Sequence, residues 1–218
     1  MKLLCLSDIH GEGAGLGEVL ADSPAVDAVV IAGDLTHLGG YGEAEGVLAP
    51  LLSSGIRVIA VAGNMDGEGA RRYVREKGID IHGRGILVGR VGFMGLGGGP
   101  PSPFGTPWEV SPGDAKKLLS SGLSDLASAE YRVLVSHAPP RGTKLDRSYA
   151  GVHAGSADIK EFLLAGSVDL CICGHIHEAA GEEIVGTVRC VNVGPFKNGR
   201  CALVTIEGSN AQVSWRKK

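Results

Sequence analysis

Seven side chains able to bind a metal ion fall in five short groups. These are Asp8-Ile9-His10, Gly33-Asp34, Gly63-Asn64-Met65-Asp66, Ser136-His137 and Gly174-His175-Ile176-His177. The candidates are Asp8, His10, Asp34, Asn64, His137, His175 and His177, with Asp66 alongside. In Asp8-x-His10 and His175-x-His177 the middle residue is isoleucine. On an extended segment that spacing sends both polar side chains to one side and the apolar one behind. Each group alone has an ordinary explanation. Asp-x-His is a common chance match, Gly-Asp is often a turn, a lone histidine is often a hydrogen-bonded core residue, and Asn64 can cap a helix. The groups gain meaning from where they fall.

Each follows a short apolar run. Leu3–Ser7, Ala28–Ala32, Val58–Ala62, Arg132–Val135 and Leu170–Cys173 read as strands. Helical patterns lie between them, over Gly15–Asp22, Gly42–Ser54, Arg71–Lys77, Ser111–Ser120 and Ser156–Ala165. In the second of these, Val47, Leu48, Leu51 and Leu52 share one face. Strands alternating with helices predict βαβ units and parallel sheet. Ligands gather outside the carboxyl ends of such strands, so five strand ends converge on one crevice. Gly85–Val88 and Val91–Leu96 predict a hairpin. Residues 97–108, with three glycines followed by prolines at 100, 101 and 103, cannot be helix or central strand. The tail from Glu183 to Trp215 reads as two or three strands, with turns at Gly186, Lys197–Gly199 and Gly208–Asn210. No repeat or linker interrupts residues 1–218, which predicts one domain. Its two halves suggest two stacked sheets covered by helices.

Composition narrows the function classes. The net charge of −3 argues against nonspecific binding to nucleic acid or to an anionic membrane. No apolar run approaches the ~20 residues that span a bilayer, and Ser7-Asp8 interrupts the apolar N-terminus before a signal peptide could form. Five cysteines, without paired spacing, predict reduced, buried thiols and a cytoplasmic location.

The ordered set Asp8-x-His10, Gly33-Asp34, Gly63-Asn64-x-Asp66, His137 and Gly174-His175-x-His177 resembles the calcineurin-like metallophosphoesterase family, across residues 8 to 177. Ser136-His137-Ala138-Pro139-Pro140 and Gly151-Val152-His153-Ala154-Gly155-Ser156 are similar to its small single-domain phosphodiesterases. The resemblance implies an α/β fold, a four-layer αββα sandwich of two mixed β-sheets flanked by helices. It implies two divalent metal sites, one of Asp8, His10, Asp34 and His177, the other of Asp34, Asn64, His137 and His175, with Asp34 shared. Mixed nitrogen and oxygen donors suit manganese (the preferred choice), iron, zinc, cobalt or nickel. With so few anionic ligands the centre stays cationic and attracts a phosphate ester.

The implied reaction is phosphodiester hydrolysis by a hydroxide bridging two metal ions. Asn64 and His137 would share the developing charge. Asp66 would orient the site through a hydrogen bond or serve as a helix N-terminal carboxylate. The implied substrate is a small phosphodiester, with nucleotides in the class. Homo-oligomerisation stays open. The competing readings are a phosphomonoesterase or protein phosphatase, a catalytically weak metal-binding scaffold for protein interaction, and, last, a DNA-processing nuclease.

Two positions depart from the family. A histidine that protonates the leaving group commonly follows Gly-Asn, where this chain has Met65; methionine has no proton to give. His37 stands where Gly-Asp-x-x-Asp would end, either a replacement acid or a surface histidine. His153 would face substrate or be an ordinary loop residue. Arg141 and Lys144 would contact the ester or stay solvated. Phe104 and Trp108 would stack on a base or pack against the domain.

Overall fold

The apolar runs become strands buried on both faces, which is why they read as continuous rather than alternating. In the computed structural model, which describes residues 1–216, β1 (Lys2–Leu6), β2 (Ala28–Ala32) and β3 (Arg57–Val61) pair in parallel. Leu3 and Cys5 of β1 enter the core between the sheets, while Leu4 and Leu6 pack under helices. The second sheet holds β4 (Gly85–Val88), β5 (Val91–Leu96), β6 (Tyr131–Ser136), β7 (Leu170–Cys173), β8 (Gly181–Val185) and β9 (Val188–Asn192). Its order is β4-β5-β6-β7-β9-β8, with β4 and β8 as antiparallel edges. With β10 (Cys201–Glu207) and β11 (Asn210–Arg216), the first sheet runs β11-β10-β1-β2-β3.

Both sheets are therefore mixed, and they share one apolar interior. Val30, Ile59 and Val61 from one meet Phe93, Val133 and Ile172 from the other. The outer face of the first sheet is covered by α1 (Leu16–Ala21), α2 (Tyr41–Ser53) and α3 (Glu68–Glu76). The outer face of the second is covered by α4 (Pro112–Ser124) and α5 (Ala157–Leu164). These last two start where side chains satisfy orphan backbone donors: Ser111 accepts from Asp114 N, and Ser156 from Ile159 N. The four-layer αββα arrangement is the expected one.

The tail needs correction. It contains four strands, not two or three, and they divide between the sheets. Turns at Gly186 and Gly208 close the β8–β9 and β10–β11 hairpins, and the segment at Lys197–Gly199 carries the chain from one sheet to the other. Strand β8 alternates exposed and part-buried residues as a sheet edge does, so its apolar signal is weak. All five cysteines are free and buried. Among the described residues, no helix is long and apolar enough to cross a membrane.

Candidate metal centre

The carboxyl ends of β1, β2 and β3 meet those of β6 and β7 at one rim of the two sheets. The backbone there is not extended, contrary to the expectation from the i, i+2 spacing. Asp8, His10, Asp34 and His175 all have left-handed φ values, 51°, 49°, 51° and 70°. Each such residue costs about 1–2 kcal/mol, and the strain is held by hydrogen bonds that continue past the strands. Asp8 N donates to Gly33 O at 3.0 Å, and His10 N to Asp34 O at 2.9 Å. The tight turn still buries Ile9 and brings its two polar neighbours together.

Asp8, His10 and His177 offer donor atoms within 4.8 Å of one another, as do Asp8, Asp34 and His137. In the first group His10 Nε2 lies 3.1 Å from His177 Nε2, 3.7 Å from Asp34 Oδ2 and 4.0 Å from Asp8 Oδ1. His177 Nε2 is 3.3 Å from Asp8 Oδ1. Four-coordinate ions with bonds of about 2.0–2.2 Å space their ligand atoms by roughly 3.3–3.6 Å, so this spacing fits a divalent ion. Burial pushes the Asp8 carboxyl up, but His177 and His137 outweigh it and hold Asp8 down at about 2. Asp8 is thus an anion throughout the physiological range.

The second group makes the same point differently. His137 Nδ1 lies 2.9 Å from Ala32 O, which can only accept, so Nδ1 carries a hydrogen. Its Nε2 faces Asn64 Oδ1 at 2.8 Å, and Asp34 Oδ2 lies 3.5 Å away. With the hydrogen on Nδ1, Nε2 keeps a lone pair that can accept a hydrogen bond or bind a cation. Burial pushes His137 down, but Asp34 and Asp8 reverse this and raise it to about 9. The same two carboxylates that raise His137 make this position favourable for a cation. His175, expected as a ligand of the second ion, lies outside both donor groups. Its ring stands edge-on to His137 with centroids 4.9 Å apart, and burial with the charge of His137 depresses it to about 4.

Close backbone approach underlies this packing. A side chain at Gly174 would collide with Ser7 Oγ and Asp8 Oδ2, and one at Gly63 with Asp34. Ser7, which sequence reasoning missed, donates to Asp8 Oδ2 at 2.7 Å. Asp66 is fully buried and accepts from Leu35 N, Thr36 N, Thr36 Oγ1 and Gly63 N at 2.8–3.1 Å. It ties the end of β2 to the end of β3 and caps no helix. Burial and Asp34 push its carboxyl up to about 6, while those donors pull the other way.

The peripheral candidates separate clearly. Trp108 packs between the His82 ring and the Arg71 guanidinium. Phe104 is 90% exposed and lines a cleft of about 580 Å³ together with Asn64, His175, Arg141 and His153. Lys144 is absent from that lining. His37 sits edge-on to His10, centroids 5.5 Å apart, outside that cleft. Asp146 was also missed; it accepts from His153. The Thr143-x-x-Asp146 spacing of a capping box was the available signal.

The calcineurin-like phosphoesterase family matches residues 1–179. The chain belongs to that family. An uncharacterised protein of Methanocaldococcus jannaschii is 30% identical over 199 residues, covering 89% of this chain and 88% of that protein. Among solved structures, TT1561 of Thermus thermophilus superposes with a TM-score of 0.77 at 18% identity, covering 98% of this chain and 97% of the other. A dimetal phosphatase from Danio rerio gives 0.71 at 13% identity, covering 100% and 96%. These two likenesses establish the fold. As a calcineurin-like phosphoesterase, the chain is of a family of phosphoric ester hydrolases, and its Asp/His cluster suits divalent metal ions.

Proposed function

We propose that this protein hydrolyses small phosphodiesters, nucleotides among them, with two divalent transition-metal ions, manganese preferred. Asp8, His10, Asp34 and His177 would hold one ion. Asp34, Asn64, His137 and His175 would hold the other, with Asp34 shared. The observation that carries the reading is that the two donor groups share Asp8, while Asp34 Oδ2 lies 3.7 Å from His10 Nε2 and 3.5 Å from His137 Nε2. Bound ions would supply positive charge to phosphate oxygens and lower the pKa of water.

The chain's own residues do the rest. His137 is oriented by its Nδ1–H bond to Ala32 O, so its Nε2 is left facing Asn64 and Asp34, where it would bind the second ion. Asn64 sits at the border between the donor cluster and the cleft, where its amide can share charge building on a phosphate oxygen. Asp66 is a positioning residue. It holds the backbone at Leu35 and Thr36, and so the placement of Asp34 just before them.

The preference for diesters is supported by Met65 and by the cleft. Without a histidine at position 65, the side chain that commonly protonates a leaving group is lacking, and the apolar-walled cleft offers room for a second ester group. The test compares manganese-loaded protein on bis(4-nitrophenyl) phosphate and 4-nitrophenyl phosphate. A higher kcat/KM on the diester is expected. Preference for the monoester would make the protein a phosphomonoesterase, and metal binding without turnover of either would make it a scaffold.

A further inference from the structure

His153 is anchored as an ordinary loop histidine is not. Its Nδ1 lies 2.7 Å from Asp146 Oδ1, and the Asp146 side chain is fully buried while that of His153 is 44% exposed. Asp146 also accepts from Thr143 N at 2.9 Å and from Gly142 N and Gly155 N at 3.0 Å. Burial pushes the Asp146 carboxyl up, but His153 and these backbone donors outweigh it and hold the group below its usual range. A carboxylate only accepts, so the imidazole donates from Nδ1. Its Nε2 is then the atom left to exchange a proton. The loop is itself pinned, Ser148 N donating to Val152 O and Ala154 N to Asp146 O, both at 3.0 Å.

That nitrogen belongs to a side chain lining the same cleft as Asn64 and His175. Pro100, Pro101, Pro103 and Phe104 give the same cleft an apolar lining. Met65 supplies no acid, and His37 is not among the residues that line the cleft.

We infer that His153, positioned by Asp146, protonates the leaving oxygen of a phosphodiester whose apolar or aromatic alcohol lies in this cleft. This rests on the phosphodiesterase reading above. Water supplies the oxygen that forms the new bond to phosphorus. The bond from phosphorus to the leaving oxygen breaks, its electron pair stays on that oxygen, and the oxygen takes the proton from His153 Nε2. The imidazole remains neutral with its Nδ1 hydrogen on Asp146. It regains a proton from solvent as the attacking water loses one, so diester plus water gives monoester plus alcohol.

The test uses the manganese-loaded full chain and two substrates differing only in leaving group, methyl 4-nitrophenyl phosphate and methyl benzyl phosphate. Nitrophenolate leaves without a proton, whereas benzyl alcohol needs one. His153→Gln is expected to lose about 10²–10³-fold on the benzyl ester and under about 3-fold on the nitrophenyl ester, the size of a general-acid contribution. Asp146→Asn, which keeps the side-chain shape, should show the same leaving-group bias at about 10-fold. Calorimetric binding of methyl 2-phenylethylphosphonate, with carbon in place of the leaving oxygen, should stay within about 2-fold in His153→Gln and weaken in Phe104→Ala. Equal losses on both esters in both variants, with wild type active, would overturn the assignment of His153 and leave the phosphodiesterase reading standing. A benzyl-selective loss in His37→Gln instead would overturn it too. Wild-type inactivity on both esters would remove the underlying reading and this inference with it.

Discussion

The backbone N–H of Met65 donates to Asp34 Oδ1 at 2.9 Å. The position that lacks the family's histidine therefore still holds the central carboxylate, through an atom every residue but proline possesses. The side chain is free to vary while Asp34 stays placed. Met65→His should leave this bond intact and add a second proton donor. In a His153→Gln background it should recover about 10-fold on the benzyl diester, measured by alcohol release, within the range a positioned acid contributes. No recovery would mean that residue 65 does not face the leaving oxygen.

Asp34 touches both donor groups, while His37 touches only the edge of the His10 ring. Asp34→Asn should therefore abolish diester hydrolysis, by more than about 10²-fold, since even partners that only orient a ligand cost 10–100-fold. His37→Ala should stay within about 3-fold. Metal content by plasma emission should fall only in the first variant. Equal effects would remove Asp34 from its shared position.

Gly174→Ala tests the close approach of β7's end to Asp8. The added carbon meets Ser7 Oγ and Asp8 Oδ2, with the strand end on one side and the Asp8 loop on the other. Overpacking of this kind costs about 1–3 kcal/mol, read as a lower urea midpoint. Metal affinity should fall with it, because Asp8 must shift. A variant with unchanged midpoint and affinity would show that the loop yields without consequence.

Asp146 predicts a pH dependence of stability in metal-free protein. Its folded pKa is depressed by the His153 and backbone hydrogen bonds, which outweigh burial. A depressed carboxyl contributes stability that is present above the unfolded value of about 3.9 and is lost as the pH falls through the lower folded value. Wild type should lose stability over that acid interval by urea titration, and Asp146→Asn should show a flatter slope there. Identical slopes would contradict the shift.

Much of the fold and of the candidate centre was legible in the residues. The central strands are apolar over nearly their whole length because helices and a second sheet cover their two faces, and that burial is written directly into Leu3–Leu6, Ala28–Ala32 and Leu170–Cys173. The edge strand β8 was legible only in part, from Glu183 to the turn at Gly186, since only one of its faces needs to be apolar. The polar residues at five strand ends were visible because their types are unusual after such runs. Their backbone was not: Asp8, His10, Asp34 and His175 adopt left-handed conformations that no spacing rule encodes and that hydrogen bonds between strand ends enforce. Asp66 could be named but not assigned, because its four donors come from segments about 3 and 30 residues away. His153 pairs with Asp146 within one loop, but its place on the same cleft as Asn64 exists only once β6 and β3 lie on facing sheets. Residue type and local order are properties of the chain; which groups share a desolvated pocket depends on long-range packing, and that alone decides the charges each one feels.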